Sequence, residues 1–152
     1  MRIILLFHFC LISTFLKSQD SSKMKIDSFV STIKLSQLKL KFTFSPGKSS
    51  KKADSIEYYY TNETGLLTKF ENENVVHAKF GKLNYLSKSS FYFKNEKLIK
   101  VEILRRFPDT TKIFSVFYIS PTIKYSKNEK KMYLHLTEKA NSVIKVFHDS
   151  IQ

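Results

Sequence analysis

Residues 38–44 alternate without a break: Leu38, Leu40, Phe42 and Phe44 are apolar, while Lys39, Lys41 and Thr43 are polar. A period of two marks a strand with one face turned to a core. Shorter alternations follow. Ile56, Tyr58 and Tyr60 share one parity, as do Leu66, Thr68 and Phe70, then Val76, Ala78 and Phe80. Residues 83–86 form a weaker run, Phe91 and Phe93 flank Tyr92, and Ile99, Val101 and Ile103 alternate with Lys100 and Glu102. Residues 113–119 are almost continuously apolar up to Pro121. The punctuation between these runs reads as turns: Ser45-Pro46-Gly47-Lys48, Asn62-Glu63-Thr64-Gly65, Glu71-Asn72-Glu73-Asn74, Gly81-Lys82, Asn95-Glu96 and Pro108-Asp109. Short strands joined by such turns predict an antiparallel meander of about six to eight strands.

Two segments have a helical period instead. Ile26, Phe29, Val30 and Ile33 fall at i, i+3, i+4 and i+7, with Ser21 or Ser22 placed to cap the start. Met132, Leu136, Ala140, Val143, Phe147 and Ile151 step by three or four over five turns. The opposite face carries Lys131, His135, Lys139, Lys145 and Asp149. The expected fold class is α+β, a meander with an N-terminal and a C-terminal helix packed on one face, or closing the ends of a half-open barrel. On that packing Ile56, Tyr58, Phe91, Phe93 and Val101 face the helices.

The start of the chain reads as an address. Met1-Arg2 is followed by an apolar run, residues 3–16, and then by Lys17-Ser18-Gln19-Asp20. Fourteen helical residues span about 21 Å, short of a bilayer core of about 30 Å. The expectation is a secretory signal peptide over residues 1–18, cleaved between Ser18 and Gln19, with a single domain over 19–152. Cys10 lies inside the signal and is preceded by Phe7-His8-Phe9 rather than the small residue of a lipoprotein site. The processed chain then has no cysteine and spans no membrane, and its expected location is extracytoplasmic, periplasmic or secreted.

Charge changes the picture less than it first promises. Among 152 residues, 26 Lys+Arg face 13 Asp+Glu, for a net charge of +13. Only Arg2, Arg105 and Arg106 are arginines. A nucleic-acid reader favours Arg, whose planar fork grips phosphate and guanine. No nucleic-acid partner is therefore expected, and nucleic-acid binding ranks third among the functions considered. The abundance of Lys, Ile, Phe, Tyr and Asn also matches the codon bias of an AT-rich genome.

The hairpin Phe91-Tyr92-Phe93-Lys94-Asn95-Glu96-Lys97-Leu98-Ile99-Lys100-Val101 resembles those of small secreted envelope proteins of Bacteroidota-type Gram-negative bacteria. Tyr58-Tyr59-Tyr60 through Leu66-Leu67 resembles an earlier copy, and Thr137-Glu138-Lys139-Ala140-Asn141 resembles their closing helix. The likeness covers roughly residues 56–147. It implies location and fold, and brings no catalytic residues.

No phosphate-cradling glycine loop, nucleophile elbow or zinc-protease motif occurs. His135 and His148 are thirteen apart on one helix and cannot share a metal. No metal or other cofactor is expected. Glu71 and Glu73 read as solvent-facing turn residues. Glu57 and Glu102, with His77, are the candidates for an alternative reading, a small extracytoplasmic hydrolase or lyase; cross-strand pairing with lysine is the plainer role for the two carboxylates.

The leading reading is a non-enzymatic binding domain. Its candidate surface is a sheet face carrying Lys39, Lys41, Tyr59, Lys69, His77, Lys79, Tyr92, Lys94 and Lys100. Cations interleaved with aromatics suit an anionic envelope polymer, or another envelope protein. All five Asp are followed by Ser or Thr. Ser55, Thr110 and Ser150 stand in sequences resembling the O-glycosylation sites of the same bacterial group, and Asn62-Glu63-Thr64 is a formal N-glycosylation acceptor.

Overall fold

Cross-strand register organises this protein. The computed structural model describes residues 21–33, 38–44, 55–77 and 84–151. The expected signal with Ser18 and Gln19, and the candidate Lys79, lie outside the described residues. Six strands form one sheet in chain order, each antiparallel to the next: β1 (Leu38–Phe44), β2 (Ser55–Thr61), β3 (Leu67–His77), β4 (Asn84–Lys94), β5 (Lys97–Arg106) and β6 (Lys112–Tyr118). Residues 21–32 form helix α1, and Lys127–Ile151 forms α2. The fold is α+β with an antiparallel meander.

Eight strand segments read from the sequence become six strands because two expected breaks are not breaks. Glu71-Asn72-Glu73-Asn74 runs through the middle of β3, and residues 84–94 are one strand. The polar run stays in the sheet because its side chains find partners there. Asn72 donates to the Ser55 hydroxyl at 2.8 Å, while Lys69 and Lys88 hold Glu71 and Glu73. Glu71 is buried rather than solvent-facing.

One row of side chains makes the core. Tyr59 pairs with Phe70, Phe70 with Phe91, Phe91 with Val101, and Val101 with Phe117. α2 lies on this row through Leu136, Ala140, Val143 and Phe147. The Phe147 ring stacks on Tyr59 with centroids 6.0 Å apart. The helix begins at a capping box, in which the Ser126 amide donates to Glu129 Oε2 at 2.7 Å and the Glu129 amide to Ser126 Oγ at 3.3 Å.

The phase of β2 differs from expectation. Register with Phe70 sends Tyr59 to the helix side and Ile56 and Tyr58 to the other, whereas Phe91, Phe93 and Val101 face the core as expected. The two helices also do not share a face. Asp27 of α1 binds Lys100 and Tyr118, which alternate with the core residues Val101 and Phe117 and so point away from α2. Ser21 and Ser22 are already within α1, so neither caps it among the described residues. Ser22 Oγ instead lies 3.0 Å from Thr122 Oγ1, in the loop leading to α2.

The β4–β5 turn, Asn95-Glu96, holds both residues at positive φ, 50° and 58°. A two-residue hairpin turn of this kind matches the right-handed twist of its strands. Asn favours the conformation, Glu does not.

Candidate functional site

Opposite the core row lies a second row, also set by register. Tyr60 pairs with Lys69, Lys69 with Tyr92, Tyr92 with Lys100, and Lys100 with Tyr118. Five strands thus place Tyr, Lys, Tyr, Lys, Tyr side by side. Each ammonium sits between two rings. Lys69 Nζ is 5.5 Å from the Tyr60 centroid and 5.3 Å from that of Tyr92. Lys100 Nζ is 5.8 Å from Tyr92 and 5.5 Å from Tyr118.

Carboxylates lock this ladder. Lys69 meets Glu71 at 2.6 Å and Lys100 meets Glu102 at 2.7 Å, each two residues along its own strand. Tyr92 donates to Glu102 at 2.8 Å and Tyr118 to Asp27 at 2.8 Å, while Lys100 also reaches Asp27 at 2.7 Å. Glu71 takes four donors: Lys69, Lys88, Tyr60 and Ser90. That fills the acceptor capacity of a carboxylate.

The electrostatics follow from these contacts. Burial acts to raise the Glu71 carboxyl, but the hydrogen bond and charge of Lys69, then those of Lys88, outweigh it and hold Glu71 below the usual carboxylate range. Asp27 is lowered in the same way, its burial outweighed by hydrogen bonds from Lys100 and Tyr118. Lys88 and Lys100 are raised, because their carboxylate partners outweigh burial. Burial, then the hydrogen bond to Glu102, pushes the Tyr92 hydroxyl up.

The expected binding face is therefore divided. Lys69, Tyr92 and Lys100 do share one face, but they are buried and tied to carboxylates. Tyr59 is on the opposite face, 1% exposed in the core, because its row partner is Phe70. Lys94 is exposed, with Nζ 5.1 Å from the Phe29 ring centroid of α1. Lys39 and Lys41 belong to β1, and His77 ends β3.

Glu57 and Glu102 do not form a pair. Register puts Glu57 opposite Asn72 on the core side, where Tyr59 and Asn72 donate to it at 2.9 and 3.3 Å. Glu102 is on the ladder side, bound to Lys100 and Tyr92 rather than to a lysine across the strand. The sheet separates the two carboxylates. Among the described residues no group of three His, Cys, Asp or Glu could hold a metal ion.

The modification candidates also have places. Asn62 Oδ1 accepts from the Thr64 amide, the Thr64 hydroxyl and the Leu66 amide, in the exposed β2–β3 turn. Ser55 is half-buried and accepts from Asn72; Thr110 is exposed in the β5–β6 turn; the exposed Ser150 donates to the Val146 carbonyl.

A cavity of about 390 Å³ opens where Phe29, Thr32 and Ile33 of α1 approach the β2–β3 turn and Phe93. Among the described residues the buried Thr61 hydroxyl in its wall has no hydrogen-bond partner.

The ladder itself was missed in the sequence, although a signal for it exists: Lys-apolar-Glu occurs on two strands, as Lys69-Phe70-Glu71 and Lys100-Val101-Glu102. Among the described residues no helix is long and apolar enough to cross a membrane. Compared with protein families, with curated proteins and with solved structures, the chain matches none.

Proposed function

We propose that this is an extracytoplasmic, non-catalytic binding domain of a bacterial envelope, whose partner is anionic. The observation that carries the reading is the engagement of its ladder carboxylates by lysine and tyrosine. Glu71 has four donors and a lowered pKa, and Glu102 and Asp27 each take one tyrosine and one lysine. Glu71 is a poor proton shuttle, because a general acid or base needs a pKa near the working pH and a free lone pair. The hydrolase reading also loses its carboxylate pair, since Glu57 and Glu102 lie on opposite faces.

The ladder neutralises its own lysines, so the chain's excess of +13 resides elsewhere. Exposed Lys97, Arg105, Arg106 and Lys112 are among the cations a partner would meet. The test is retention of the secreted protein on heparin and on DNA columns under a salt gradient. Retention on heparin that weakens steeply with salt and is no stronger on DNA supports the reading. Salt-insensitive retention, or none, overturns it.

The cavity beside α1 favours a second reading, a small apolar ligand with one hydrogen-bonding group. Its volume lies in the range of small-molecule sites, and Thr61 supplies an unpartnered hydroxyl. A rise in melting temperature with a long-chain alcohol, absent in Ile33→Trp, is the expected result. No rise, or the same rise in the variant, rejects it.

A further inference from the structure

The outer end of the β5–β6 hairpin brings exposed cations and exposed apolar side chains together. Register pairs Arg105 with Ile113, Arg106 with Lys112, and Leu104 with Phe114, while Leu86 of β4 pairs with Arg106. Phe114 is 61% exposed, Leu86 48% and Ile113 45%. Strand alternation puts Phe114, Leu86, Arg106 and Lys112 on the ladder face of the sheet and Ile113 and Arg105 on the other. The hairpin is braced at its turn end, where the Tyr85 and Phe107 rings lie 5.2 Å apart.

The cations here differ from those of the ladder. Lys69, Lys88 and Lys100 all have carboxylate partners, whereas among the described residues Arg105, Arg106 and Lys112 have no ion pair. Asp109, in the turn, is the only carboxylate between Glu102 and Glu129, and it is engaged by the Thr111 amide at 3.0 Å. Moreover, in a chain whose basic residues are otherwise almost all lysine, the only two arginines after residue 2 are adjacent here. The guanidinium is the basic group whose planar fork grips phosphate oxygens in pairs.

We propose that this hairpin end docks by its ladder face on an anionic phospholipid bilayer, with Arg106 and Lys112 at the phosphates and Phe114 and Leu86 in the headgroup–acyl boundary. A soluble polyanion would use the cations and leave the apolar side chains in water. A bilayer surface accepts both. The inference rests on the reading of an anionic partner and names its class and its contact.

The test is co-sedimentation of the secreted protein with vesicles of phosphatidylcholine alone and of equimolar phosphatidylcholine and phosphatidylglycerol. Binding at least about tenfold tighter to the anionic vesicles is expected. Replacing the pair, Arg106→Gln with Lys112→Gln, should weaken it about thirtyfold. Phe114→Ser should weaken it about tenfold and leave heparin retention unchanged. The control pair on α2, Lys130→Gln with Lys131→Gln, should change it less than about twofold. Circular dichroism checks the fold of each variant, and Leu86→Ser stands in if Phe114→Ser does not fold. An unchanged affinity in the Arg106 and Lys112 pair or in the apolar variant overturns the proposal, as does an equal loss in the α2 control. Competition by polyglutamate as strong as by anionic vesicles points to an acidic protein and also overturns it. Heparin retention without vesicle binding removes the lipid contact alone, whereas failure of both removes the anionic-partner reading with it.

Discussion

Lys69 and Glu71 stand two residues apart on β3 and meet at 2.6 Å, both almost wholly buried. Removing one member of a buried pair leaves the other uncompensated. Glu71→Gln should therefore destabilise the protein by about 3 kcal/mol in urea unfolding at neutral pH. The pH dependence has a definite sign. The folded Glu71 carboxyl lies below its ordinary value of 4.5, so its contribution is full above that value and is lost as pH falls through the lower folded one. Wild-type unfolding curves should show this acid loss. Those of Glu71→Gln should lack Glu71's share of it, and equal acid sensitivity in both would count against the pairing.

Phe147 joins α2 to the sheet through its stack on Tyr59, and both are 1% exposed. Phe147→Ala should cost about 3 to 5 kcal/mol, since the helix cannot collapse into the space left over a five-stranded row. Denaturant midpoints measure it. A loss below about 1 kcal/mol would mean that α2 is not packed this way.

Ser126 begins α2 with reciprocal bonds to Glu129. Ser126→Ala should cost about 1 kcal/mol. Amide exchange should quicken in the first turn, around Lys130, and stay slow around Val143. Uniform exchange along the helix would argue against a local cap effect.

Glu96 sits at a φ of 58° in the β4–β5 turn and contacts His148 Nε2 at 2.9 Å. Glu96→Gly relieves a backbone strain of about 1 kcal/mol and loses a half-exposed contact worth a few tenths. The expected net effect is a small gain in melting temperature. His148→Ala isolates the contact and should lower it slightly. A fall in Glu96→Gly larger than that in His148→Ala would show the turn to be unstrained.

The alternation at 38–44, the stripe from Leu136 to Phe147 and the turns at Gly65, Asn95 and Pro108 were legible from the sequence, because each depends on neighbours a few residues away. So were the meander and its α+β class. The candidate face was legible only in part: Lys69, Tyr92 and Lys100 do share a side, and Tyr59 does not. In Tyr58-Tyr59-Tyr60 any residue suits either face of a strand, so local pattern cannot choose the phase. Only the pairing of Tyr59 with Phe70 chooses it.

The same limit hid the polar interior. Glu71-Asn72-Glu73-Asn74 looks like a turn until Lys69, Lys88 and Ser55 are brought alongside, and Asp27 looks like a surface residue until Lys100 and Tyr118 meet it from 73 and 91 positions away. Composition and periodicity determined the elements, the charge and the address expected of the chain. Tertiary structure alone decided which lysines are neutralised, because an ion pair depends on distances that sequence separation does not encode. Among the described residues it left Arg106 and Lys112 as unpaired cations beside the exposed Phe114 and Leu86 at one end of the sheet.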